Sequence, residues 1–421
     1  MLRLLSNSRY RQFFLSFTAG NFAEGLVTVS VPFVILVKTG DPFVVGLSLA
    51  CQTAGVLALA FPGASIADRY PRQKVISAAY LAAAIALIGM FISLQSGLGI
   101  WGLAGCLFLF GGSTAVYGPA SDAMTPRLVC EEDLHRANSM DGLSQRIGQG
   151  ILGPLVGGGL VASGLGVWTF LVSAILCFAG ASIILKVRLL DRSRTESELE
   201  DEGGRSWPSV LRYLRTTPLF LALLAWVSLV IMLQVGSRPV AGTTWAAELP
   251  GGGAALYGMT LSIGAVSSAL IVIAVGSLPM PRKYIEVMVS AWSIGAGVVA
   301  VAVMAPYTWG FVVAYAISSC FMAVGNIYWS TYLQRTVPDE YLARVISIDW
   351  VASLSLTPLG AVLAGAVVGL WGPGIALIGV AVIPFTTGAL MLMFVIRYSK
   401  RLTSETPLAD AENSDATKQA G

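Results

Sequence analysis

The chain has 421 residues, of which 55% are hydrophobic and only 12% charged, with a formal net charge of +3. A soluble domain carries about twice that charged fraction, and apolar runs of roughly 20 residues, the length of a bilayer crossing, separate short charged clusters. No basic, aromatic-laced stretch points to a nucleic-acid partner, so the composition is that of a protein whose solvent is the lipid bilayer.

The chain opens on Met1 to Gln12, which carries Arg3, Arg9 and Arg11. The apolar run after it is long enough to span, and no small-residue cleavage site interrupts it, so it reads as an uncleaved first helix. Twelve spans are expected: 13–37, 43–66, 75–95, 99–120, 139–163, 166–187, 218–240, 255–278, 284–304, 308–329, 346–370 and 374–396. With the N-terminus in the cytoplasm, the positive residues fall inside almost throughout. Arg69, Arg72 and Lys74 lie between the second and third spans, Arg127 and Arg136 between the fourth and fifth, and Arg282 and Lys283 between the eighth and ninth. Arg335 and Arg344 precede the eleventh, and Arg397, Lys400 and Arg401 follow the last. Trp101, Trp168, Trp245, Trp309 and Trp371 fall near the opposite boundaries, as an aromatic belt would. A multi-pass inner-membrane protein with both termini in the cytoplasm is expected.

The sequence divides into a first six-helix bundle over 1–187, a polar linker over 188–217, a second bundle over 218–400 and a disordered tail over 401–421. The linker is rich in glutamate and glycine (Glu196, Glu198, Glu200, Asp201, Glu202, Gly203, Gly204). The two halves repeat each other. Arg127-Leu-Val-Cys-Glu-Glu-Asp-Leu-His-Arg-Ala-Asn-Ser-Met-Asp141 aligns without gaps on Arg335-Thr-Val-Pro-Asp-Glu-Tyr-Leu-Ala-Arg-Val-Ile-Ser-Ile-Asp349. Two six-span repeats imply an all-α membrane fold of two pseudo-symmetric bundles, with a substrate site near the midplane between them.

Three stretches carry a resemblance. Ala64-Ser-Ile-Ala-Asp68-Arg69-Tyr-Pro71-Arg72-Gln-Lys74 resembles the signature loop between the second and third helices of the major facilitator superfamily. Ala64 and Pro71 stand where that pattern has glycine. The resemblance implies that Asp68, Arg69 and Arg72 form a latch between the cytoplasmic ends of the halves, a carboxylate facing a helix N-terminus. The plainer reading is that these charges only set topology. Gly148-Gln-Gly150-Ile-Leu-Gly153-Pro154-Leu-Val-Gly157-Gly158 resembles the antiporter motif of drug-exporting branches, with Gln149 in place of a glycine. Gly153 and Gly157 stand four apart, so a neighbouring helix can approach closely, and Pro154 permits a bend. Generic small-residue packing is the other reading of Gly153, Pro154, Gly157 and Gly158. Tyr117-Gly118-Pro119-Ala120, Pro126-Arg127 and Arg136-Ala137-Asn138-Ser139 are similar to the branch holding enterobactin exporters and macrolide efflux proteins.

Single residues sharpen this. Glu24, in Gly20-Asn21-Phe22-Ala23-Glu24-Gly25, falls near the middle of the first span. A charge at the bilayer centre costs about 2.5–3.5 kcal/mol on insertion scales. Such an acid can exchange a proton as its exposure changes or receive a cationic substrate, or it is a structural acid satisfied by Asn21. Arg238, after Gln234 near the outer end of the seventh span, either meets an anionic substrate, pairs with Glu24 or reaches the outer headgroups. Arg146 with Asp141 and Gln145 reads as a structural ion pair, and Asp349 repeats Asp141. Gln52 and Asn326 either line a cavity or bond a neighbouring helix. Phe17, Phe22, Tyr117, Tyr257 and Tyr328 are candidate lining aromatics.

Proton-driven export of a small amphipathic molecule by a single chain, a monomer, is the expectation. No phosphate-binding loop supports direct ATP coupling, and no cofactor or metal is called for. The five cysteines, at 51, 106, 130, 177 and 320, have no ligand spacing, and His135 is the lone histidine. Uptake by symport is the alternative on the same fold. A membrane enzyme needs a convergent catalytic set, which the sequence does not offer.

Overall fold

The computed structural model describes residues 2–96, 99–187, 212 and 214–405. Most of the expected linker, and the expected tail beyond residue 405, lie outside them. Twelve membrane helices are described: α1 Ser8–Thr39, α2 Pro42–Arg69, α3 Arg72–Ser96, α4 Gly99–Asp122, α5 Glu132–Leu165 and α6 Trp168–Ile184 in the first half. The second half holds α7 Pro218–Glu248, α8 Ala254–Gly276, α9 Tyr284–Met304, α10 Thr308–Thr336, α11 Arg344–Trp371 and α12 Pro373–Ser399. Eleven segments are long and apolar enough to cross a membrane. The remaining helix, α6, has 17 residues, the short end of the crossing range. No strand occurs among the described residues.

Local chemistry sets the helix ends. Gly40 closes α1 in the left-handed conformation (φ 65°), and Asp41 caps α2 by accepting the Phe43 N–H at 2.8 Å, with Pro42 at the first helical turn. The link between the two helices is therefore very short. Apolar side chains such as Ile85, Ile175, Phe178, Leu270, Ile273 and Leu390 stand exposed on the outer faces. In water such faces would drive association; here they meet lipid.

Two helices carry a π-helical stretch just before a proline. A π-helical stretch, Arg146–Leu152, precedes Gly153-Pro154 in α5, and another, Met232–Ser237, precedes Arg238-Pro239 in α7. Proline has no N–H and its ring crowds the carbonyl four residues back. A widened turn just before it relieves that crowding, and such turns recur at functional sites.

Most arginines and lysines lie at one end of the bundle, Lys38 at the end of α1 and Arg238 within α7 being exceptions; the other end carries Trp101, Trp168, Trp309 and Trp371, all exposed. The halves meet toward the tryptophan end. A methyl group on Gly46 of α2 would strike the Ala361 carbonyl of α11, and one on Gly365 would lie 2.8 Å from Phe43 Cα. On the other side of the axis, Gly158 of α5 faces Ala254 of α8, and Ser262 Oγ donates to the Ile151 carbonyl at 2.7 Å. Val29 and Phe33 of α1 share one buried cluster with Tyr257, Phe311 and Tyr315 of the second half.

The structure also lengthens several expected spans, the fifth and seventh among them. The seventh, expected to end at 240, runs to Glu248 because Val240, Ala241, Gly242, Thr243 and Thr244 are all buried. The fifth begins at Glu132 rather than 139.

Candidate transport site

Between the halves lies a cavity of about 720 Å³. It runs from Glu24, midway along α1, to Asp122 at the basic end of α4. Its walls are Val56, Ala60 and Phe61 of α2, the α4 turn from Thr114 to Pro119, and Ile346, Ser347 and Trp350 of α11. Gln145 and Gln149 of α5 also line it, and no lysine or arginine does among the described residues.

Glu24 is held by neutral donors. Tyr117 Oη donates to Glu24 Oε2 at 2.9 Å, and the Gln149 side chain reaches the same carboxylate. Tyr117 is fixed in turn by Tyr80, ring centroids 5.2 Å apart. Tyr80 fits because residue 20 is glycine: a methyl group there would lie 2.7 Å from the tyrosine ring. Asn21, the partner expected from the sequence, is not bonded to Glu24. It is buried against Gly148, with no hydrogen-bond partner for its Nδ2.

The antiporter-like motif holds this arrangement. Gly153 and Gly157 face α1, where added methyls would sit 2.6 Å from Gly25 C and 2.8 Å from the Leu26 carbonyl. Pro154 and Gly158 face Gly258 and Ala254 of α8. The same four residues thus set α5 against Glu24's helix on one side and against the other half on the other. Gln149, where the family motif has a glycine, is the residue that the π-helical stretch brings to Glu24.

A second cavity, of about 470 Å³, lies within the second half. Arg238 and Gln234 of α7, Tyr257 and Leu261 of α8, Trp292 of α9 and Asn326 of α10 line it. Arg238 Nη1 donates to Gln234 Oε1 and Ser318 Oγ, each at 3.1 Å, and its guanidinium lies 4.1 Å over the Tyr315 ring. Because α7 extends to Glu248, Arg238 sits ten residues, about 15 Å, from that end of its helix. Arg238 and Glu24 line different cavities rather than pairing.

Other expected residues fall elsewhere. Arg146 is exposed and unpaired with Asp141. Asp141 instead accepts Tyr10 Oη at 2.9 Å and Thr125 Oγ1 at 2.7 Å, while Asp349 accepts Trp329 Nε1 at 3.0 Å. Both repeat aspartates tie a loop-proximal helix start to a neighbouring helix. Arg72 donates to the Ala123 carbonyl at the end of α4, Arg69 is exposed, and the Asp68 side chain lies outside the described residues. Of the candidate aromatics, Tyr117 and Tyr257 line cavities, while Phe17 is buried in a stack on Phe13. Ser318, Tyr315, Asp122 and Trp350 were not legible as site residues. Only Trp350 had a signal, an aromatic directly after the repeated aspartate.

Twelve helices in two halves, closed on each other at one end and parted by a cavity holding an intramembrane acid, define a multi-pass membrane transporter of the alternating-access type. The chain belongs to the Major Facilitator Superfamily, whose family model matches residues 13–349. It is 26% identical to the enterobactin exporter EntS of Salmonella choleraesuis strain SC-B67, over 97% of both chains. It is likewise 26% identical to the enterobactin exporter EntS of Shigella flexneri, over 98% of this chain and 97% of that one. Among solved structures, a mutant of the nucleoside transporter NupG superposes with a TM-score of 0.74 at 14% identity, covering 91% of this chain and 99% of that one. A bacterial homologue of the human lysosomal transporter Spinster, in an inward-facing and occupied conformation, superposes with a TM-score of 0.64 at 15% identity, covering 95% and 97%.

Proposed function

We propose that this chain is a secondary active exporter of small amphipathic molecules, siderophore-like in chemistry, driven by protons that exchange at Glu24. The observation that carries the proton part is the setting of Glu24. It lies midway along a membrane helix, in a cavity that no lysine or arginine lines among the described residues, where the Tyr117 hydroxyl donates to it. A carboxyl so placed changes its proton occupancy when the cavity's exposure changes, which is what coupling requires. Export is supported by the names of the curated relatives, which match this chain nearly end to end.

In this reading the basic end faces the cytoplasm of an inner membrane, and the structure is the state open to that side. One chain is the working unit, since both cavities lie within it. Asp68, Arg69 and Arg72 latch the basic ends when the bundles rock. A membrane potential contributes about 2.3 kcal/mol per charge per 100 mV, sufficient to drive export against modest gradients.

The test uses everted and right-side-out vesicles holding the full-length chain, with a radiolabelled catecholate siderophore as cargo. Accumulation in everted vesicles under an inward-acid gradient is expected. Glu24→Gln should abolish the dependence on that gradient while leaving downhill exchange. Uptake confined to right-side-out vesicles would reverse the direction, and full gradient-driven transport by Glu24→Gln would remove that residue from coupling.

A further inference from the structure

We propose that the second cavity is a binding site for a small planar organic anion, with the Arg238 guanidinium as its counter-charge. The proposal deepens the transporter reading by naming a chemical class for the cargo. Arg238 lies about 15 Å from the nearest end of its helix, turned into the bundle onto Gln234, Ser318 and the Tyr315 ring. It carries an insertion cost of about 2.5–3.5 kcal/mol that something must offset. What it has in the structure is neutral: an amide oxygen, a hydroxyl and an aromatic face. No aspartate or glutamate lines the cavity, and no carboxylate forms an ion pair with Arg238 among the described residues. The missing negative charge is therefore left for a ligand.

The walls specify more than charge. Tyr257 and Trp292, both buried, are among the residues that line the cavity, and aromatic walls suit an aromatic or otherwise planar body. Trp292 Nε1 donates to Asn326 Oδ1 at 3.2 Å. That bond turns the amide nitrogen of Asn326 into the end free to donate to a ligand, a second anion-binding group on the same cavity. The Tyr315 ring beneath Arg238, with Gln234 and Ser318 beside it, holds the guanidinium in place, so little side-chain entropy is lost on binding. The first cavity has the opposite character, with Glu24 and Asp122 and no lysine or arginine among the described residues that line it. Proton and anion are thus assigned to different halves of the molecule.

Equilibrium binding to the purified full-length chain in lipid nanodiscs tests this, with three probes of one shape and different charge: naphthoate, naphthamide and naphthylmethylammonium. Isothermal titration should show naphthoate binding about tenfold more tightly than naphthamide, with the cation weakest, as a charge-assisted contact predicts. Arg238→Gln should erase the preference for naphthoate. Arg238→Lys keeps the charge but loses the fork, and should weaken naphthoate by about threefold to tenfold while naphthamide is unchanged. The lysine variant carries the test if the glutamine variant does not fold. Equal binding of naphthoate and naphthamide, absence of saturable binding, a preference that survives Arg238→Gln, or equal losses for both probes in Arg238→Lys would each overturn the proposal. The measurement involves neither transport direction nor a proton gradient. Failure of the exporter reading in vesicles and failure of the anion site in nanodiscs are thus separate results.

Discussion

Tyr117 decides what Glu24 can do. Its hydroxyl donates to the carboxylate at 2.9 Å, and its ring is buried on Tyr80, so it cannot swing away without opening the first bundle. Hydrogen bonds to a charged group contribute about 1.5–3 kcal/mol, equivalent to roughly tenfold or more in an equilibrium. Tyr117→Phe keeps the ring stack and removes only the donor. The expected outcome is a fall in gradient-driven transport of about tenfold, with the thermal unfolding midpoint within a few degrees of wild type. A variant that transports at the wild-type rate would show that Tyr117 supports packing alone. Glu24 itself was readable in the sequence, because an acid inside an apolar run announces itself. Its partners were not. Asn21, three positions away, is the local guess, but three residues on a helix also bring Asn21 against α5 at Gly148, where its side chain is buried. Gln149 was visible only as a departure from a glycine motif, and its role came from the turn that precedes Pro154.

The π-helical stretches in α5 and α7 make the same point one level up. Each ends two residues before a proline and each carries a glutamine into a cavity, Gln149 and Gln234. Periodicity cannot show this, since an apolar run has the same composition whether its turns hold 3.6 or more residues. Helix existence was legible because crossing length and charge placement are compositional facts. Helix ends were less so. The seventh span was expected to stop at 240, since Arg238-Pro239 and Thr243-Thr244 lower the local hydropathy. Those residues face protein rather than lipid, and the helix runs on to Glu248. The α1–α5 contact offers a sharp test of how closely the helices must approach. A side chain at Gly153 would meet Gly25 and the Gly148 carbonyl, whereas Gly159, six residues on, has nothing within 4 Å. Gly153→Leu should lower the stability of the detergent-solubilised protein by about 1–3 kcal/mol through overpacking. It should also cost transport, because it moves Gln149 off Glu24. Gly159→Ala should be neutral within about 0.5 kcal/mol. Equal effects of the two would mean that α1 and α5 do not close on glycine.

At the scale of the molecule, the halves are joined at one end by close backbone contacts, with no ion pair between them there among the described residues. Gly46 against Ala361, Gly365 against Phe43 and Gly158 against Ala254 leave no room for a side chain. Such a seam holds only when the bundles close on it, and each glycine lies between halves rather than inside one. A leucine at Gly46 should therefore leave both bundles folded but prevent the tryptophan ends from meeting. If the bundles rock as rigid bodies, the basic ends must then approach and the cavity beside Glu24 must shrink. Spin labels at Tyr70, at the end of α2, and Ser330, on α10 near its basic end, report that distance; both positions are exposed. The labels require a background in which the five native cysteines are replaced. Gly46→Leu should move the label pair's distance distribution to shorter values than in the unsubstituted background, as double electron–electron resonance reads it. The same shift should lower access of a membrane-impermeant reagent to a cysteine at Gln145 in the cavity. An unchanged distance in a protein that still purifies as a folded monomer would mean that the two ends are not mechanically linked. The seam would then be ordinary packing, and the route by which Glu24 changes its exposure would have to lie within one bundle.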